Sequence, residues 1–326
     1  MNKKYDIIII GGGPIGLCCA IEAQKNGLNV VVLEKGVLVN SIYNFPTEMT
    51  FFSTSKLLEI GEVPFISHGD KPTRAEALEY YRRVVDSWNL NLVTFCEAQS
   101  LTKTDSGYEI ETPKGIFESK YVIISTGFYD NARMMGVPGE ELPKVKHFYD
   151  DAHPYVGRKV LVVGAANSAC DIALELYHKN AEVTMLIRGN EINSRVKYWI
   201  KPNIQNRIKE GSIKAYFESE LTKITEEEVF IETPAGEVVL ENDFVLAMTG
   251  YKPDYALFEK LGIPISNDEQ RKPIHNPETL ESELENVFIA GVIKSGLKTS
   301  MYFIENSRED AEVILNTIVK EHFGED

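Results

Sequence analysis

The sequence predicts an α/β protein with two dinucleotide-binding (Rossmann-like) domains, the second inserted into the first. Three observations predict it. A glycine turn, GGGPIG, joins an apolar run at residues 7–10 to a helix of small and apolar residues, and a second apolar run follows at 30–33. A related turn, GAANSA, lies between apolar runs at 159–163 and 182–187. Two further apolar runs end alike, one at Ser125, Thr126 and Gly127 and one at Thr249 and Gly250, as paired chain crossings between domains would. The boundaries are accordingly drawn at 1–127 and 251–326 for the first domain and 128–250 for the inserted one.

Each residue of the first turn has a physical reason. Gly11 permits the tight bend, Gly13 lets backbone approach a pyrophosphate, and Gly16 lets the helix pack closely on the strand. Pro14 suits the first helical turn, where its missing N–H costs nothing, and Ile15 lies between it and Gly16. The free N–H groups and the positive dipole end there receive phosphate. Glu34 stands 18 residues beyond Gly16, near the spacing of the acid that binds a ribose hydroxyl.

Composition bounds the remaining possibilities. With 326 residues, 43% of them hydrophobic, the chain can bury a large core. Its formal net charge of −15 opposes general affinity for nucleic acid or an anionic membrane, which requires clustered Lys and Arg. The basic start at Lys3 and Lys4 is followed by an apolar run that stops at Gly11, too short for a signal peptide, and no window reaches the length of a membrane span. Four cysteines without framework spacing point to a reducing cytoplasm.

Residues 36–66 form an irregular stretch dense in aromatics and hydroxyls, and Tyr43, Phe45, Phe51 and Phe52 are placed to wall a planar ring. Residues 73–88 read as an amphipathic helix with a Thr73/Glu76 capping box and a packed face of Leu78, Tyr81, Val85 and Trp88. Strands follow at 92–95, 108–112, 116–118 and 121–124, an antiparallel insert expected to cover the first sheet. Residues 135–147, rich in Gly, Pro and Lys, read as a linker.

The second unit repeats the first in weaker form. Its turn keeps Gly164 but has Ala166 and Ala169 where glycine is usual, and Asn167, beside Ser168, is expected to cap the helix. At the end of its second strand stands Arg188 in place of an acid, with Arg195 and Lys197 soon after. An arginine there accommodates a 2′-phosphate, which predicts NADP(H) over NAD(H). More short strands are expected up to 244–248. A strand at 286–290, a glycine loop and a helix from about Ser300, packed through Ile304, Ala311, Leu315 and Ile318, complete the chain.

Long segments outside the nucleotide turns carry a resemblance. The stretches NSIYNFPTEMTFFSTSKLLEIGEVPF, LPKVKHFYDDAHPY, FVLAMTGYKPDY, NVFIAGV and FIEN, together with GGGPIG and GAANSACDIALEL, resemble the YpdA-type bacillithiol disulfide reductases. These are FAD enzymes of thioredoxin-reductase-like architecture that reduce a low-molecular-weight disulfide with NADPH. The resemblance implies FAD on the first unit, at Gly11, Gly13, Pro14, Ile15, Gly16, Glu34 and Lys35, with Tyr43, Phe52, Ser53, Thr126, Gly127, Gly291 and Val292 near the flavin. It implies NADPH on Gly164, Ala166, Asn167, Ser168, Arg188, Arg195 and Lys197. A small-molecule disulfide as acceptor and a homo-oligomer are implied in the same way.

The chain departs from that family in two places. Ile15 stands where the family usually carries cysteine, and Ser307, Arg308, Glu309 and Asp310 replace a Phe-His-Gly run after FIEN. No CxxC occurs, so a dithiol relay is excluded. Cys18 and Cys19 are adjacent in a helix and point apart, which makes them poor disulfide partners. No catalytic residue is named. The alternatives from other classes are a flavin monooxygenase, a ferredoxin or flavodoxin reductase, and a redox sensor that binds FAD and NADPH without turnover.

Overall fold

The isoleucines at 7–10 form the inner half of strand β1 (Lys3–Ile10), and the glycine turn after it opens helix α1 (Pro14–Lys25), which leads to β2 (Val30–Leu33). The computed structural model describes residues 3–324. The chain continues through α2 (Asn40–Tyr43), α3 (Arg74–Trp88), β3 (Leu92–Val93), β4 (Ser100–Thr104), β5 (Gly107–Thr112) and β6 (Gly115–Ile124). Next come β7 (Val145–Lys146), β8 (Lys159–Val163), α4 (Asn167–His178), β9 (Glu182–Leu186) and α5 (Lys201–Lys209). After these run β10 (Lys214–Tyr216), β11 (Glu220–Ile224), β12 (Glu228–Thr233), β13 (Gly236–Glu241) and β14 (Phe244–Ala247). The last elements are α6 (Tyr255–Lys260), β15 (Val287–Ile289), α7 (Ile304–Ser307) and α8 (Asp310–Phe323). By packing, residues up to 131 and those from 251 make one unit, and 132–250 the other.

In the first unit, β3, β2, β1 and β6 lie side by side in parallel, and β15 pairs in parallel with the end of β6. Such a sheet is covered on both faces, which is why β2 and the C-terminal halves of β1 and β6 are continuously apolar. Ile7 and Ile9 join a core with α1, α3 and α8, whereas Ile8 and Ile10 join a second core with Phe117, Phe258 and Val287. The β4–β5 hairpin does not cover this sheet as expected. It extends it in plane, β5 pairing antiparallel with the first half of β6.

Three other expectations change. Residues 116–118 and 121–124 form one strand, β6, whose ladder with β1 runs on through Ser119, the buried hydroxyl of which is satisfied by the Tyr121 carbonyl at 2.8 Å. Helix α3 has its capping box, but its buried face is Ala77, Tyr80, Tyr81 and Val84, with Leu78, Val85 and Trp88 only half-buried. The helix is turned by Tyr80, whose ring stacks on Phe65 at 4.1 Å and whose hydroxyl accepts from the Ile60 N–H and donates to the Val63 carbonyl. The helix expected from Ser300 begins instead at Ile304 and is divided into α7 and α8.

The second unit carries a parallel sheet in the order β10-β9-β8-β14-β7 and an antiparallel sheet β11-β12-β13. Among its strands lies α5, a helix where only strands were expected; Ile204 is its one fully buried side chain. The expected linker at 135–147 is folded into this unit. Buried Glu140 accepts the N–H groups of Met135 and Gly136, each at 2.7 Å, and β7 pairs with β14.

Candidate functional site

The first glycine turn is tightly specified. A side-chain carbon on Gly11, whose φ is +113°, would lie 2.6 Å from the Ser125 carbonyl oxygen, and one on Gly16 would lie 2.0 Å from the Gly11 carbonyl oxygen. Ser125 Oγ donates to that same Gly11 carbonyl at 3.0 Å and so ties the end of β6 to the turn. Gly13 differs from both. Nothing lies within 4 Å of where its side chain would be, so the space beside it is open, as close approach of a phosphate to the backbone requires. Pro14 opens α1, and Ile15 and Gly16 are buried in its first turn.

Glu34, at the end of β2, is buried, and its carboxylate accepts the Gly12 N–H at 2.7 Å and the Gly36 N–H at 2.8 Å. Burial pushes this carboxyl above the ordinary glutamate range, against the opposing pull of those two donors. Two bonds leave a carboxylate with further acceptor positions, the number a ribose diol needs. Lys35 pairs with Asp130 at 2.8 Å; burial opposes its charge, but the aspartate prevails and its pKa is raised. Gly12, Gly36 and Asp130 were not singled out from sequence, and Ser125 was named only as the end of an apolar run. Gly12 was visible as the middle glycine of GGG, but nothing local marks Asp130.

The aromatic stretch divides into two sets. Phe45 and Phe51 pack edge to face with centroids 6.2 Å apart as part of the core, and Phe45 also meets Tyr129 at 4.8 Å. Tyr43 and Phe52 are 50% and 56% exposed, so they remain accessible to a ligand. Buried Ser53 donates to Glu305 at 2.6 Å, which fastens this stretch to the start of α7. Thr126 Oγ1, at the end of β6, is buried without a hydrogen-bond partner among the described residues, and Gly127 follows with φ +70°. An orphaned hydroxyl beside an open glycine turn fits a bound polar ligand.

At the end of β15, Gly291 adopts φ +82° and faces Ile15, with 3.4 Å between its notional side-chain carbon and the Ile15 side chain. Val292 follows, half-buried. The Gly291 N–H donates to Asp310 at 2.8 Å. Cys18, Cys19, Cys96 and Cys170 are all free and buried. Burial pushes the thiols of Cys18 and Cys170 up to about 12 and that of Cys19 well above its usual value.

In the second unit, Gly164 has φ +130°, and a side-chain carbon there would lie 2.8 Å from the Met248 carbonyl oxygen and 3.3 Å from the Ala169 methyl. Alanine at 169 is thus accommodated as a buried packing residue. The helix cap is Ala166, not Asn167 as expected. Asn167 lies one position inside α4, where its Oδ1 accepts the Lys197 N–H at 2.8 Å and its Nδ2 donates to the Arg195 carbonyl. The side chain is drawn to the 195–197 loop and so is lost to the cap. Ala166 and Ser168 are exposed at the turn, as are Arg188 and Arg195 beyond β9. Lys197 is committed differently, its ammonium pairing with Asp171 at 2.8 Å.

Comparison with known proteins adds independent findings. The pyridine nucleotide-disulphide oxidoreductase family matches residues 8–291. Bacilliredoxin reductase Bdr of Bacillus subtilis is 47% identical over 303 residues, 92% of this chain and 93% of that protein. The solved structure of bacillithiol disulfide reductase Bdr (YpdA) from Staphylococcus aureus superposes with a TM-score of 0.95 at 41% identity, covering 98% of this chain and 99% of its own. Its counterpart from Bacillus cereus gives 0.94 at 42% identity, covering 98% and 100%.

Proposed function

Because this chain belongs to the pyridine nucleotide-disulphide oxidoreductase family, in its YpdA-type branch, we propose that it reduces bacillithiol disulfide with NADPH, without a thiol of its own. It is an NADPH-dependent flavoprotein oxidoreductase whose cofactors are FAD and NADP(H). The net reaction consumes one disulfide, one NADPH and one proton and forms two thiols and NADP+. The observation that carries the thiol-free part is Ile15, an apolar side chain against Gly291 at the position where the resemblance led us to expect cysteine.

FAD, when bound, supplies the two-electron chemistry between nicotinamide and disulfide. The remaining work belongs to the chain's own groups. The N–H groups at Gly13, Ile15 and Gly16 would hold the pyrophosphate, Glu34 the ribose hydroxyls, and Thr126 Oγ1 a polar group of the same ligand. In the second unit, Gly164, Ala166, Asn167 and Ser168 would cradle the NADPH pyrophosphate, and Arg188 with Arg195 would face the 2′-phosphate. Lys197, neutralised by Asp171, would serve to shape this loop rather than to bind phosphate.

Thiol relay by the existing cysteines is disfavoured by the burial of all four and by the raised pKa values of Cys18, Cys19 and Cys170, since the thiolate is the reactive form. Free cysteines also suit a reducing cytoplasm. Among the described residues no helix is long and apolar enough to cross a membrane. The test is turnover of the purified protein with NADPH and bacillithiol disulfide. Two thiols formed per NADPH oxidised supports the reading, and NADPH oxidation that does not depend on the disulfide sinks it.

A further inference from the structure

The first unit buries a pair of full charges that the proposed reaction does not use. Lys294 and Asp310 pair at 2.5 Å, each side chain 8% exposed. Asp310 is the first residue of α8, and its two carboxylate oxygens are divided: Oδ2 accepts the Gly291 N–H at 2.8 Å and Oδ1 accepts from Lys294. The Lys294 ammonium also lies 4.4 Å from the Tyr302 ring centroid. Nearby His275 bonds the Pro273 carbonyl through Nδ1, and burial lowers its pKa, so it adds no charge at neutral pH.

A buried ion pair contributes little net stability compared with apolar residues of the same size, so stability alone does not account for it. Its position is informative. The pair clamps the Gly291–Ser295 turn that follows β15, and Gly291 faces Ile15 in the first turn of α1.

We propose that Lys294 and Asp310 form a net-neutral buried pair that fixes the Gly291 turn and, by balancing each other, keeps either charge from biasing the reduction potential of the flavin held by the first unit. Asp310 is the positioning residue, and Lys294 supplies the charge that balances it. The inference rests on the reading that this unit binds FAD. Reduction adds negative charge to a flavin, so an unbalanced cation nearby favours the reduced form and an unbalanced anion disfavours it.

The test uses the FAD-loaded protein and its variants K294M, D310N and K294R, with the midpoint potential of the bound flavin measured by equilibration with a reference dye. K294M is expected to lower the potential, D310N to raise it, and K294R to keep it. Unchanged potentials, or shifts of the same sign in both single variants, overturn the proposal and leave the pair a structural one.

Two neutral double variants decide the matter if the single ones fail to fold. K294M/D310N keeps an acceptor for the Gly291 N–H and K294M/D310A removes it, so the second is expected to bind FAD about tenfold more weakly than the first. Equal FAD affinity in the two overturns the positioning role. Wild-type protein that binds no FAD refutes the underlying reading instead, which separates the two failures.

Discussion

The Glu34 carboxylate accepts the Gly12 N–H at 2.7 Å, so the acid at the end of β2 is held in place by the glycine turn that opens α1. Replacing Glu34 by Gln keeps one acceptor and turns an amide toward a donor. FAD affinity is expected to fall roughly tenfold to a hundredfold, the equivalent of about 1.5–3 kcal/mol for a charged hydrogen bond. Titration of the apoprotein with FAD, followed by flavin fluorescence, checks it.

The same residue gives a pH dependence of defined sign. The Glu34 carboxyl titrates higher in the folded protein than in the unfolded chain. Between the two values the folded state holds a proton that the unfolded state has lost, so stability falls as pH rises through that window. Urea unfolding of the apoprotein across roughly pH 4 to 7 should show a steeper decline for wild type than for E34Q. Asp310, raised in the same direction by burial, contributes alike to both proteins. Equal slopes would contradict the assignment.

Two glycines of the first turn should separate folding from binding. Gly16→Ala drives a methyl against the Gly11 carbonyl and should destabilise the apoprotein by at least the roughly 1–3 kcal/mol of ordinary overpacking. Gly13→Ala enters open space at an ordinary φ of −78°, so it should leave apoprotein stability nearly unchanged while weakening FAD. Thermal unfolding with and without FAD distinguishes the two.

Arg188→Ala should weaken NADPH about tenfold to a hundredfold, by loss of one charge-assisted contact of about 1.5–3 kcal/mol, and leave NADH unaffected. Dissociation constants for both nucleotides check this, and an unchanged NADPH value counts against the residue.

Much of the architecture was legible because its signals are local. The parallel strands around both turns carry apolar runs next to the turn, and a glycine with positive φ at Gly11 or Gly164 leaves its mark at one position. What was missed depends on contacts distant in sequence. Helix α5 presents one fully buried residue, Ile204, to its core and so lacks a clear apolar stripe. The face of α3 is set by the carbonyl and N–H groups that receive the Tyr80 hydroxyl, and Asn167 is drawn from the cap by the loop at 195–197. Glu34 was picked out by spacing alone, and the structure sets its carboxylate against the Gly12 and Gly36 N–H groups. The Lys294–Asp310 pair joins residues on different elements, and only the fold brings them together.

The central claim is disulfide reduction without a protein thiol, and it is tested most directly in a variant with Cys18, Cys19, Cys96 and Cys170 all replaced by Ser or Ala. Its FAD-loaded form is mixed anaerobically with NADPH and then with bacillithiol disulfide, while the flavin absorbance is followed. Bleaching by NADPH and recovery on the disulfide at near the wild-type rate is the predicted result. Recovery in wild type and none in the cysteine-free variant would contradict the account and place a thiol in the reaction.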